Sequence, residues 1–354
     1  MESAQPFTIA GEDVAPGTAR DVAFPITTLA TGTASSLGVR VLHGARPGPA
    51  VFVSAAIHGD EIIGTAVVQR LAQELDPQTL SGTVLLVPVA NIFGFMSRSR
   101  YLPDRRDLNR SFPGSAGGSL AGQLASIFYR EVVGRCQLGI DIHSAAMHRY
   151  NLPQIRIAAG NTGLVELAMA FGAPVIIESP LRDGSLRDLA QKKGVDMLLL
   201  EAGEALRFDR LSIETGVAGV TRVLAHLGMI AADDGLATVG IPARANHSVW
   251  VRSPRGGVAH MQRESGDPVR KGDVLARVSG VFGEEPLELT SPIDGIIIGH
   301  ATLPVVHQGD ALFHIAQIAH PERVGAQIES ITEAILASEP EGSAEALLDE
   351  DEVI

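Results

Sequence analysis

LGVRVLHG, residues 37–44, alternates apolar and polar positions as a strand with one covered face does, and it runs into the turn GARPGP. VFVSAAI (51–57) is then apolar or small throughout, the pattern of a strand buried on both faces. EIIGTAVVQRLAQEL follows at helical spacing, with Ile63, Val67, Leu71 and Leu75 recurring every fourth position. TVLLVPVA, CQLGIDIH, PVII and DMLLLE supply further runs of strand length, and a helix is expected from about Leu120 to Val133. Strands alternating with helices predict an α/β fold: a mixed, mostly parallel sheet with helices on both faces.

The pattern changes near residue 245. From Ser248 to about Ala316 the text is strand-like, with Gly-rich turns, and it repeats itself. Ser253-Pro254 with Gly256-Gly257 returns as Ser291-Pro292 with Gly295, and V-x-x-G-D-x-L occurs at Val269–Leu275 and again at Val306–Leu312. Two similar halves predict a C-terminal β-sandwich or half-barrel. Four segments are therefore expected: a β lead-in over 1–45, an α/β domain over 46–240 that holds the candidate chemistry, the β-rich module over 246–316 and a helical, acidic tail over 317–354.

Composition narrows the class. Over 354 residues the formal charge is -13, which argues against nucleic acid and against an anionic membrane surface. The single cysteine, Cys136, excludes an intrachain disulfide framework. Neither a signal-type leader nor an apolar run of membrane-spanning length is evident, so a cytoplasmic, soluble protein is expected.

Candidate chemistry collects at the predicted strand ends, where open α/β sheets bind ligands. His58 and Glu61 stand three apart just after VFVSAAI, and a nitrogen and a carboxylate oxygen suit zinc, which in catalytic sites commonly has three protein ligands. GIDIHSAAMH offers His143 as the third, with Asp141 able either to orient it or to serve structurally, while His148 reads as structural. The His-x-x-Glu pair with a distant His resembles the carboxypeptidase-type zinc enzymes. HGDE at 58–61, RDLNRSFPG at 106–114, DIH at 141–143 and the glutamate of LLLEAGE at 198–204 together resemble the succinylglutamate desuccinylase/aspartoacylase family, over about residues 45–235.

That resemblance implies one Zn2+ per chain on His58, Glu61 and His143, and hydrolysis of a linear amide in a small N-acyl amino acid, with Glu201 as general base. It also implies that Asn109 and Arg110 bind the substrate carboxylate or polarise its carbonyl, with Arg110 stabilising the oxyanion. Arg100-Tyr101 looks like the family's Arg-Tyr pair, which implies that Arg100 grips the substrate carboxylate with Asn109, but the loop is longer here, so Arg98, Arg105 or Arg106 could take that role instead. Glu201 ends an apolar strand, where a carboxylate is costly without a role. Glu204 and Glu214 read as surface residues, and Glu178 follows another strand. An arginine pocket in an acidic chain points to an anionic small-molecule partner. The β-module has no lysine in GEEPLELTSP at the tip between its halves, so it reads as scaffold, able to narrow the pocket or build a homo-oligomer interface. Alternatives are a carboxypeptidase acting on short peptides and a non-catalytic binding protein. The substrate is open between succinyl and other N-acyl amino acids, an N-acetylated diamino acid among them.

Overall fold

The computed structural model describes residues 4–232 and 240–337. Of the helical, acidic tail expected over 317–354, the part at 338–354 lies outside the described residues. Strands Thr18–Thr28 (β1), Ala34–His43 (β2), Arg46–Ala55 (β3) and Ser81–Val87 (β4) belong to a 13-stranded sheet together with Leu138–Ala145 (β5), Arg149–Ala158 (β6), Val175–Ser179 (β7) and Asp196–Glu204 (β8). Across its centre the order is β6-β8-β5-β3-β4, and the β8-β5, β5-β3 and β3-β4 pairs are all parallel. Antiparallel pairs flank this centre, β6 on β8 and β2 on β4, with β1 outermost on β2.

Alternation along β3 shows how the faces are filled. Val51, Val53 and Ala55 join Val67 and Leu71 of helix Ile63–Glu74 (α1) and Val217 and Val220 of helix Arg210–His226 in one core. Phe52 points the other way. It meets Phe128 of helix Leu120–Glu131 (α2) edge to face at 6.0 Å, in a second core with Leu186 and Leu189 of helix Leu186–Lys192 (α3). The α/β sandwich with helices on both faces is as the periodicity predicts.

The C-terminal residues form antiparallel sheets around their own core, in which Val269, Leu275, Val306 and Leu312 of the repeated V-x-x-G-D-x-L motif are all buried. This module is welded to the large α/β sheet. Ser248–Arg252 (β9) pairs with Ala311–Gln317 (β11), which pairs with Gly295–Ala301 (β10), and β10 pairs directly with β6. Strand β6 forks to allow this: Arg149–Asn151 pair with β10, and Gln154–Ala158 pair with β7. Helix Pro321–Ala337 closes the described chain. No helix among the described residues is long and apolar enough to cross a membrane.

Candidate active site

Three parallel strands deliver polar side chains to one face at their carboxyl ends. Ile140 and Ile142 of β5 and Leu198 and Leu200 of β8 all point into the first core, so Asp141, His143, Leu199 and Glu201 face the opposite side. Register aligns Glu201 with His143 and Asp141 with Ser54 of β3. Beyond β3 the chain turns sharply, with Ala56 at φ 51 and Gly59 so close to Gly94 that a Cβ would lie 1.9 Å from its carbonyl carbon. That turn brings His58 and Glu61 back over the strand ends.

His58, Glu61 and His143 are buried, and their ligand atoms lie within 4.8 Å of one another. Glu61 Oε1 is 2.7 Å from His58 Nδ1, and Glu61 Oε2 is 2.7 Å from His143 Nδ1. The outer ring nitrogens are held by carboxylates: His58 Nε2 by Asp107 at 3.2 Å and His143 Nε2 by Asp141 at 2.8 Å. Asp141 in turn accepts from Ser54 Oγ at 2.7 Å. Each imidazole thus has one nitrogen anchored and the other turned to a shared point, the way metal-binding histidines are usually oriented. This donor set fits a divalent cation. Burial alone would lower the pKa of His143, but Asp141 and Glu61 outweigh it and hold the imidazole well above its ordinary value. Burial likewise opposes ionisation of Glu61, and the two imidazoles outweigh it and keep the carboxyl well below the carboxylate range. A cation bound here displaces protons from the two rings.

Arg100 is not free to reach outward. Its Nη2 donates to Asp107 Oδ2 at 2.9 Å and its Nη1 approaches Glu61 Oε1 at 3.3 Å, so it braces the carboxylates around the histidines. Arg98, Arg105 and Arg106 do not line the cavity, whereas Arg100 does. Asn109 and Arg110 lie on a one-turn 3-10 helix capped by Asp107, which accepts from Asn109 N at 2.8 Å. Asn109 Oδ1 accepts from Leu186 N at 2.9 Å, tying this loop to the start of α3. The competing glutamates are engaged elsewhere: Glu178 with Arg244, Glu214 with Arg70, and Glu204 with the backbone N–H of His148.

These groups surround a cavity of about 230 Å3. Six arginines line it: Arg100, Arg110, Arg149, Arg156, Arg182 and Arg187. Four of them (Arg149, Arg156, Arg182 and Arg187) carry no signal in the sequence, since each stands outside any motif. Arg187, at the start of α3, is half-buried, and its Nη1 is enclosed without a hydrogen-bond partner among the described residues. Burial and the neighbouring Arg156 push its pKa down to about 10. Trp250 of β9 also lines the cavity, stacked on His314 at 4.2 Å between ring centroids, so the C-terminal module does supply a wall.

The model of the succinylglutamate desuccinylase/aspartoacylase catalytic domain matches residues 47–227. An N-alpha-acetyl-L-2,4-diaminobutyric acid deacetylase from Halomonas elongata is 29% identical over 289 residues, covering 77% of this chain and 83% of that protein. Among solved structures, the product-bound ectoine utilization protein EutE (DoeB) from Ruegeria pomeroyi superposes with a TM-score of 0.76 at 24% identity, over 84% of this chain and 95% of that one. A succinylglutamate desuccinylase/aspartoacylase from Rhodobacter sphaeroides gives 0.75 at 25% identity, over 85% and 96%.

Proposed function

We propose that this chain, which belongs to the succinylglutamate desuccinylase/aspartoacylase family, is a zinc-dependent amidohydrolase that removes a short acyl group from a small N-acyl amino acid. The observation that carries the reading is the convergence of His58, Glu61 and His143 beside Glu201, in a small cavity lined by arginines. About 230 Å3 falls below the roughly 300–1,000 Å3 of sites for drug-sized ligands and suits an acylated amino acid better than a peptide. The deacetylase from Halomonas elongata makes Nα-acetyl-L-2,4-diaminobutyrate the first substrate to try.

A zinc ion on His58, Glu61 and His143 would supply a Lewis acid for the acyl oxygen and lower the pKa of the attacking water toward ~7. Glu201, registered beside His143 on the neighbouring strand, takes the proton from that water and passes it to the departing amine. Arg110 stabilises the negative charge growing on the acyl oxygen, where the loss of one such donor typically costs ~3 kcal/mol. Asp141 and Asp107 keep the imidazoles in register, and Arg187 offers its unpaired Nη1 to the substrate's carboxylate.

The test is acetate release from Nα-acetyl-L-2,4-diaminobutyrate by zinc-loaded protein, with N-succinylglutamate and N-acetylaspartate alongside. Turnover abolished by a chelator and restored by zinc is expected; no release from any of the three overturns the reading. Arg187→Met is expected to raise KM by about 10- to 100-fold, the equivalent of one charge-assisted hydrogen bond. It should not lower the melting temperature of the ligand-free protein, since an enclosed guanidinium nitrogen without a partner is itself a cost. An unchanged KM would remove Arg187 from substrate binding.

A further inference from the structure

The strand that the C-terminal module adds to the catalytic sheet ends its pairing beside the glutamate assigned as base. Glu201 Oε2 accepts a hydrogen bond from Asn151 Nδ2 at 2.9 Å. Its other oxygen has Arg156 Nε as its nearest cationic neighbour among the described residues, at 3.9 Å, beyond hydrogen-bond reach. Asn151 is therefore the group that fixes the direction of this carboxylate. Asn151 is buried, and it sits at the inner end of the β6 segment that pairs with β10, opposite Gly299.

Gly299 meets the far end of the same amide. A Cβ built on Gly299 would lie 2.8 Å from Asn151 Oδ1, with Tyr150 O at 3.4 Å and His314 Cβ at 3.6 Å. The amide is thus held from two sides. Its NH2 end must face Glu201, because a carboxylate can only accept, and its oxygen end occupies the space a side chain at 299 would need. Both flanking ladders are irregular at these residues. The β8–β6 register shifts between Glu201 and Gly203, and the β10–β11 register shifts between Ile297 and Gly299. Bulges of this kind re-aim a side chain relative to the regular pleat, and the first of them falls on the strand that presents Glu201.

We propose that Asn151 is a positioning residue for Glu201, and that Gly299 sets the position of Asn151, so that the C-terminal module acts on proton transfer through a two-contact chain. The inference rests on Glu201 being the base and goes beyond it by giving the appended module a defined effect on catalysis. Because neither residue belongs to the ligand set His58, Glu61 and His143, their variants should bind metal normally.

The experiment is a double-mutant cycle assayed with Nα-acetyl-L-2,4-diaminobutyrate on the full, zinc-loaded chain, with Glu201→Gln as reference. Asn151→Ala is expected to lower kcat about 10- to 100-fold, the scale of a misplaced catalytic group, with KM within about two-fold and one zinc per chain retained. Gly299→Ala should lower kcat in the same way while Asn151 is present. The double variant should be no slower than Asn151→Ala alone, because truncation at 151 opens the space that the added methyl at 299 needs. Should Asn151→Ala fail to fold, the isosteric Asn151→Asp, which sets carboxylate against carboxylate, is expected to lose at least as much kcat. The proposal is overturned if kcat stays within two-fold in the folded 151 variant, if the loss lies in KM, or if the 151 and 299 losses multiply. A fully active Glu201→Gln would instead overturn the reading beneath it. An inactive Glu201→Gln beside an unimpaired Asn151→Ala would sink only the positioning role.

Discussion

Glu201→Gln is expected to lower kcat by roughly 10^2- to 10^4-fold, the usual contribution of a positioned general base, while zinc content stays at the wild-type level. The substitution preserves length and the acceptor that Asn151 Nδ2 reaches, and removes only the basicity. None of the three ligands is disturbed, since Glu201 lies on a different strand from His143 and stands outside the cluster that His58, Glu61 and His143 form. KM should change little, because on the proposed reading the anion is held by the arginines that line the cavity, not by Glu201. Elemental analysis and steady-state kinetics on the same preparation decide it. A variant that keeps its zinc and loses its turnover isolates Glu201 as the proton-transfer group. Near-normal turnover would leave the cavity without an assigned base, because Glu178, Glu204 and Glu214 are all engaged away from it.

How much of this can be read beforehand follows from how each residue reports its surroundings. His58, His143 and Glu201 each stand at the end of a largely apolar run, with Glu61 three residues beyond the first, and such a run ending in a ligand-type residue is visible without a structure. The helices α1 and α2 are legible because their buried positions recur on one face. Strand β6 is not. Pro153 interrupts NLPQIRIA, and a proline in a central strand ordinarily argues against one. It is tolerated because β6 changes partners there: Leu152 and Pro153 fall between the residues paired with β10 and those paired with β7, where no ladder needs the missing N–H. With β6 unread, Asn151 and Arg156 have no place in the site. Arg187 is hidden for a different reason. It opens a short helix after GSL, and nothing local distinguishes it from a surface arginine; only the burial of α3 against the second core does. Ser54 likewise looks like an ordinary small residue until register sets it beside Asp141. The contribution of Trp250 depends on strand pairing between segments far apart in the chain, which periodicity does not encode.

His143→Ala should abolish both metal binding and hydrolysis, with activity down by more than about 10^3-fold and no recovery on adding zinc. One imidazole would be lost from a three-residue donor set, and Glu61 Oε2 would lose its partner at 2.7 Å. Asp141, fully buried, would keep the Ser54 hydroxyl as donor but lose the imidazole. Stranding a buried carboxylate in this way costs about 3–5 kcal/mol where the surroundings do not relax, so the variant should also melt earlier in the absence of metal. Thermal unfolding separates these effects. Zinc in roughly hundred-fold excess over its dissociation constant stabilises a protein by about 2.7 kcal/mol, which the wild type should show and the variant should not. Ser54→Ala, which keeps all three ligands, should lie between them, with metal affinity reduced about 10- to 100-fold and turnover recoverable at high zinc. Retention of one equivalent of tightly bound zinc by His143→Ala would mean that the metal sits elsewhere. The strand-end cluster would then be a hydrogen-bonded polar network with no ion at its centre.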